Sequence, residues 1–292
     1  GSGRVWLAED LRLPGRQCAV KAIPVDGPPG APGAGSLEAE ALVLTRLDHR
    51  ALPKVSDFFV VEGSAYLVMD YVPGRDLRAV AADAWRRGRR LEVAQILEWA
   101  EDLCSALTYM HRQNPPVVHR DVKPANVKLT PAGQIRLVDF GLAQPAGGAE
   151  GATATVLGDA GSPPYKPLEQ YGDARAVDHR ADIYGLGATL YHLAAGRAPA
   201  TAQERFLDAD ALAPVTALRP DLSPAMAAAI EGAMALHPDD RPPSIEALRL
   251  MLRAPGPTRA AAAWAVALRA NLWLIAGVAV LFLAALALSL GP

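Results

Sequence analysis

Two aspartates, an asparagine and a lysine stand close together near the middle of this 292-residue chain. They lie in the stretch His119-Arg120-Asp121-Val122-Lys123-Pro124-Ala125-Asn126 and in Asp139-Phe140-Gly141, where Asp139 follows Asn126 by thirteen positions. Transfer of a phosphoryl group to a hydroxyl needs a carboxylate that accepts the hydroxyl proton and a cation beside the transferred group. It also needs oxygen ligands that hold magnesium between phosphate oxygens. Asp121, Lys123, Asn126 and Asp139 are the right types for those tasks. A lone His-Arg-Asp triplet occurs by chance in many proteins, whereas the whole octet with Asp-Phe-Gly at this distance does not.

Such a set has to be held by regular elements. Short β-type runs around Val5 to Ala8 and Cys18 to Ile23 are followed by a Gly/Pro cluster at 27–35 that reads as a loop. Leu37, Ala41, Leu44 and Leu47 recur at helical spacing, and Phe58 to Val61 and Ala65 to Val72 read as two strands joined around Glu62-Gly63-Ser64. Between Leu91 and His111, the apolar residues Ile96, Leu97, Leu103, Cys104, Leu107 and Met110 predict a long amphipathic helix. Val127 to Leu129 and Ile135 to Val138 flank Pro131-Ala132-Gly133 as a hairpin. From about residue 180 to Leu252 the pattern is helical, and the Ala/Gly-rich stretch 145–161 reads as a loop. The class expected is α+β, with a small sheet and one helix ahead of a larger helical part.

Composition narrows the function. An apolar content of 51% supports a sizeable core, and 29 basic against 31 acidic residues leave a net charge of −2 with no basic stripe for a nucleic-acid backbone. Cys18 and Cys104 have neither metal-ligand spacing nor the density of a disulfide scaffold, so they read as small buried hydrophobes in a reducing compartment.

The octet and the Asp-Phe-Gly triplet resemble the protein-kinase family, in its bacterial serine/threonine form. The resemblance runs from residue 1 to 253 and implies a two-lobed fold, small lobe 1–70 and large lobe 74–253. Asp121 would be the catalytic base, Lys123 the cation at the γ-phosphate, and Asn126 and Asp139 the ligands of Mg2+ or Mn2+. Lys123 also implies Ser/Thr hydroxyls of proteins as acceptors. Cys18-Ala19-Val20-Lys21 resembles the strand that presents a lysine, here Lys21, to the α- and β-phosphates of ATP, with Glu40 as its partner. Gly1-Ser2-Gly3-Arg4-Val5 matches the last part of the glycine loop, so the chain reads as starting inside it, with Gly1 and Gly3 near the phosphates. Val5 and Ala19 would pack over adenine. In Tyr66-Leu67-Val68-Met69-Asp70-Tyr71-Val72-Pro73-Gly74, Met69 would be the gatekeeper and the main chain from Asp70 to Val72 would bind adenine. Asp76 is placed for the ribose or for a turn.

The same resemblance pairs Glu169 with Arg241, has Asp182 brace the catalytic loop, and brings Ser162 to Asp121 and Lys123. A phosphate on Thr153 or Thr155 would pair with Arg120 and order the activation loop. The resemblance also implies regulation by dimerisation and autophosphorylation. Lys128 departs from the pattern: it stands where the family places an apolar residue beneath adenine. Either its stem packs there or the strand differs.

Leu272 to Leu290 is nineteen residues long and uncharged, enough to cross the ~30 Å hydrocarbon core as a helix. It follows a linker at 254–271. Arg253, Arg259 and Arg269 precede it, which by the positive-inside rule puts the expected kinase domain in the cytoplasm as a single-pass membrane protein. Either the chain is tail-anchored or an outer domain once followed. A pseudokinase scaffold is the alternative to an active enzyme, and it would be favoured by the loss of Lys21, Asp121 or Asp139, all of which are present.

Overall fold

The computed structural model describes residues 4–24, 43–61, 63–139, 144–145, 163–172 and 177–254. Expectations for Gly1, Gly3, Glu40, Thr153, Thr155, Ser162 and the span 272–290 lie outside these residues. Among the described residues, no helix is long and apolar enough to cross a membrane.

The small lobe is an antiparallel sheet of β1 (Val5–Glu9), β2 (Gln17–Pro24), β3 (Val55–Val61) and β4 (Ser64–Asp70), ordered β1-β2-β4-β3. Its register pairs Val5 with Lys21, Leu7 and Met69 with Ala19, and Lys21 with Leu67. Because side chains alternate across a sheet, Val5, Ala19, Lys21 and Met69 therefore share one face. A slip of one residue would send all four to the other side. β4 ends at Asp70 rather than at Val72 as expected, so Tyr71 to Gly74 form the crossing between lobes. Gly74 has φ +118°, and a Cβ there would stand 2.1 Å from the Leu129 carbonyl oxygen, so only glycine lets the crossing chain touch the strand below it.

Below the crossing, β5 (Arg75–Asp76), β7 (Val127–Leu129) and β8 (Ile135–Leu137) form a three-stranded sheet, and β6 (Val117–Val118) pairs with β9 (Gln144–Pro145). The helices are α1 (Leu77–Arg86), α2 (Val93–His111), α3 (Arg180–Ala195), α4 (Ala202–Leu207), α5 (Val215–Leu218), α6 (Pro224–Ala233) and α7 (Ile245–Arg253). α2 is the predicted amphipathic helix: Ile96, Ala100, Leu103, Leu107 and Met110 fall three or four residues apart and are almost fully buried. α3 is buried nearly all round, as suits a helix at the centre of a lobe. Truncating Leu103 or Ile183, which are completely buried, would cost about 2–5 kcal/mol.

Side-chain caps set the helix starts. Ser223 accepts from Met226 N ahead of Pro224, Ser244 accepts from Ala247 N, and Thr201 and Glu204 cap each other's turn reciprocally. The uniform helical reading beyond residue 180 is corrected. Pro- and Gly-containing segments, two of them forming 3-10 turns at Ala209–Ala211 and Pro238–Asp240, break it into five helices.

Candidate active site

The catalytic octet is held from below by one carboxylate. Asp182, in the first turn of α3 and fully buried, accepts from His119 N at 2.8 Å and from Arg120 N at 2.7 Å. The His111 Nε2, from the last turn of α2, lies 2.8 Å from Asp182 Oδ2. Burial alone would push the Asp182 carboxyl up. The hydrogen bond and charge of His111, with the main-chain donor of His119, outweigh it and hold Asp182 below its ordinary range. The imidazole of His119 is itself pushed down by burial, so its neutral form is favoured.

Arg120 has φ +65°, a conformation that a side-chain-bearing residue adopts only when its surroundings impose it. Both sides of the residue are held: its N–H by Asp182 and its carbonyl by Gln170 Nε2 at 2.9 Å. The next residue, Asp121, is thereby aimed into the cleft. Lys123 Nζ donates to Asp121 Oδ2 at 2.8 Å, and Asn126 Nδ2 donates to the same oxygen at 2.8 Å and to the Asp121 carbonyl at 2.9 Å. These bonds spend the amide's donor end on Asp121 and leave its Oδ1 as the acceptor.

Asn126 closes a 3-10 turn that runs into β7, and Val138 N donates to the Asn126 carbonyl at 2.8 Å. That bond sets Asp139, one residue on, beside the catalytic loop. Asp139 also has a left-handed backbone, φ +73°, and its carboxylate pairs with Lys21 reaching down from β2. Lys21 is 3% exposed, so this contact joins the two lobes through a buried cation. The expected partner of Lys21 was Glu40, which lies outside the described residues. The Asp139 contact was not foreseen, because 118 residues separate the pair and only the folded lobes bring them together.

The residues expected to face the nucleotide fall where the register requires. Met69 is buried, Ala19 is half-buried, and Val5 is 57% exposed at the rim. The Asp70 carboxylate is used within the small lobe, accepting from Arg16 and from Lys54 N, and Val72 is half-buried in the crossing. The Asp76 Oδ1 accepts from Ala79 N at 2.8 Å and caps α1, a helix the sequence pattern had not shown. Lys128 sits in a regular strand, opposite Asp76 and Arg136 and half-buried, so the strand does not differ from its neighbours.

The site fits ATP with a hard divalent ion. Among the described residues no group of three or more His, Cys, Asp and Glu could hold a metal by itself. Asn126 Oδ1 and Asp139 instead offer two oxygen ligands, the small protein share that magnesium takes when phosphates complete its shell. Away from the cleft, Arg241 forks onto Glu169 at 2.5 and 3.0 Å, as expected, and also donates to the carbonyls of Arg180, Ala235 and Leu236.

Comparison with known proteins agrees with this geometry. The protein kinase domain family matches residues 2–250. A probable serine/threonine-protein kinase of Streptomyces coelicolor is 32% identical over 264 residues, covering 87% of this chain and 38% of that protein. Serine/threonine-protein kinase PknB of Mycobacterium tuberculosis is 34% identical over 208 residues, covering 69% and 32%. The chain thus spans well under half the length of these curated relatives. The crystal structure of the Mycobacterium tuberculosis PknI kinase domain superposes with a TM-score of 0.63 at 30% identity, covering 86% of this chain and 90% of that one. The match over most of the chain, on a cleft built from Lys21, Asp121, Asn126 and Asp139, makes this chain a member of the protein kinase family, with bacterial serine/threonine kinases among its relatives.

Proposed function

We propose that this chain transfers the γ-phosphoryl group of ATP to serine and threonine hydroxyls of proteins, from a tether in the membrane. The observation that carries the reading is the convergence on one cleft of Asp121, held by Lys123 and Asn126, with the Lys21–Asp139 pair. Asp121 takes the proton of the acceptor hydroxyl at its carboxylate. Lys123, bonded to that carboxylate, lies on the side where the transferred group gathers charge. Lys21 would hold the α- and β-phosphates, and Asn126 Oδ1 and Asp139 would hold the metal. Bound ATP supplies the phosphoryl group, and magnesium or manganese neutralises its oxygens. Val5, Ala19 and Met69 line one face of the small-lobe sheet against the base, and the Asp70–Val72 main chain reads its edge.

The tether is supported by the uncharged stretch 272–290 and by the arginines ahead of it. The full chain, incubated in vesicles with labelled ATP and Mg2+, is expected to label itself or an added protein on Ser or Thr. Asp121→Asn should lower the rate by about 10²–10⁴-fold while nucleotide binding persists. ATP binding without label in the unaltered chain would overturn the enzyme reading in favour of a pseudokinase scaffold. Mapping of the label would show whether Thr153 and Thr155 are modified.

A further inference from the structure

We propose that the loop between α1 and α2 rests on the anionic inner face of the bilayer and orients the kinase domain on it. This inference depends on the tether proposed above. The end of α1 and the loop after it carry Arg86-Arg87-Gly88-Arg89-Arg90, all exposed. Asp83 is shared by Arg75, Arg86 and Arg87, whose side chains remain 55%, 75% and 61% exposed. Among the described residues, neither Arg89 nor Arg90 lies within ion-pair distance of a carboxylate. Asp83, Glu92 and Asp221 offset part of this charge, and an excess of exposed arginine over carboxylate remains at the loop, which the net charge of the chain conceals. The cleft of about 670 Å³ at the foot of the loop is mixed in charge, lined by Arg75, Arg89, Arg90 and Arg219 but also by Asp83, Glu92 and Asp221, so a lipid headgroup would meet the exposed arginines of the loop rather than this cleft. Trp85, just before the loop, keeps 39% of its surface exposed, and indole is the side chain favoured at a membrane–water boundary.

The direction of α7 says what covers this surface. Glu246, at the start of α7, pairs with Arg112 just past the end of α2, at 2.8 Å. Arg249 and Arg253, toward the end of α7, both pair with Glu101, two helical turns from the start of α2. α7 thus runs antiparallel to α2, and its last residues lie beside Leu97 and Glu98. The four residues from Val93 to Leu97 amount to about 6 Å along α2, so the chain leaves the fold pointing at the end where the arginine loop sits. Eighteen residues, 254–271, then precede the expected span and can reach at most about 60 Å. The domain is leashed with its most basic loop on the exit side. Anionic lipid attracts such clusters over about a Debye length, 8–10 Å.

The test is hydrogen exchange of residues 84–92 in the full chain, reconstituted in vesicles of neutral lipid alone or with phosphatidylglycerol. Exchange about fivefold slower on the anionic vesicles, restored near 1 M salt where the Debye length is about 3 Å, is the expected result. R86E/R87E/R89E/R90E, and the milder R89Q/R90Q should the first misfold, are expected to remove the difference and leave phosphotransfer intact. Equal exchange on both vesicles would overturn the proposal, as would stronger protection by an acidic peptide than by lipid. Alkaline carbonate extraction checks the tether separately. If the chain washes off, the tether fails, and protection of the loop on anionic vesicles then decides whether this surface stands without it.

Discussion

Replacing Asp182 with alanine measures how much of the catalytic loop rests on a group that never meets the substrate. The change removes the acceptor of two buried N–H groups and of His111, and it should cost about 3–5 kcal/mol in denaturant unfolding. Asp182→Asn keeps one acceptor but turns an amide donor toward the other N–H, so a loss of about 1–3 kcal/mol is expected. At this scale the site was legible to the extent that each residue has one task. Asp121, Lys123, Asn126 and Asp139 were picked out by the octet and the Asp-Phe-Gly triplet that resemble the kinase signatures, and the fold brings Asp121, Lys123 and Asn126 together with Asp139 beside them. His111, Gln170 and the Lys21–Asp139 contact were not legible. Each joins positions 50 to 118 residues apart, and each residue type alone is as well explained by a solvated surface.

Among the elements, α3 does more than fill the large lobe. A Cβ on Gly185 would stand 2.9 Å from the Val122 carbonyl oxygen and 3.0 Å from its Cβ, so the missing side chain lets the helix press against the residue after Asp121. Gly185→Ala should push the catalytic loop outward. The expected result is a fall of about tenfold or more in phosphotransfer, with the circular dichroism spectrum of the fold kept. Unaltered kinetics would show that the loop yields without consequence. The four strands of the small lobe (apart from the end of β4), α2 and the β7–β8 hairpin were read correctly because period-2 and period-3.6 patterns persist in them for long enough, whereas the two-residue strands β5, β6 and β9 are too short to show a period. α1 was missed for a physical reason. Its ten residues bury only Leu77 and Ala81, its C-terminal end is followed by arginines, and its start is marked by the single capping carboxylate of Asp76. Arg219 was missed too. It donates to the Leu91 carbonyl at 2.7 Å and ties the start of α2 to the far side of the lobe, a role that composition does not disclose.

For the molecule as a whole, pH should act in two windows. His49, His119 and His192 all have pKa values lowered from 6.5, in each case chiefly by burial, so the unfolded chain binds protons that the folded chain refuses. Stability should therefore be fully present above pH 6.5 and decline as the pH falls below it. Asp182, whose carboxyl is held down from 3.8, contributes stability above that value and loses it only as the pH falls through its own lowered one. Thermal melts at closely spaced pH values should show a first decline below 6.5 and a second one below 3.8, and a flat profile between pH 7 and 5 would contradict the histidine assignment. The two cysteines carry a consequence of another kind. Cys18 is buried in β2 of the small lobe and Cys104 in α2 of the large one, its thiol pushed up to about 12 by burial. A thiol reagent reaches each only when its own lobe opens. The chain thus carries one native clock per lobe, and the order in which the two sulfurs are alkylated under mild denaturant reports which half lets go first.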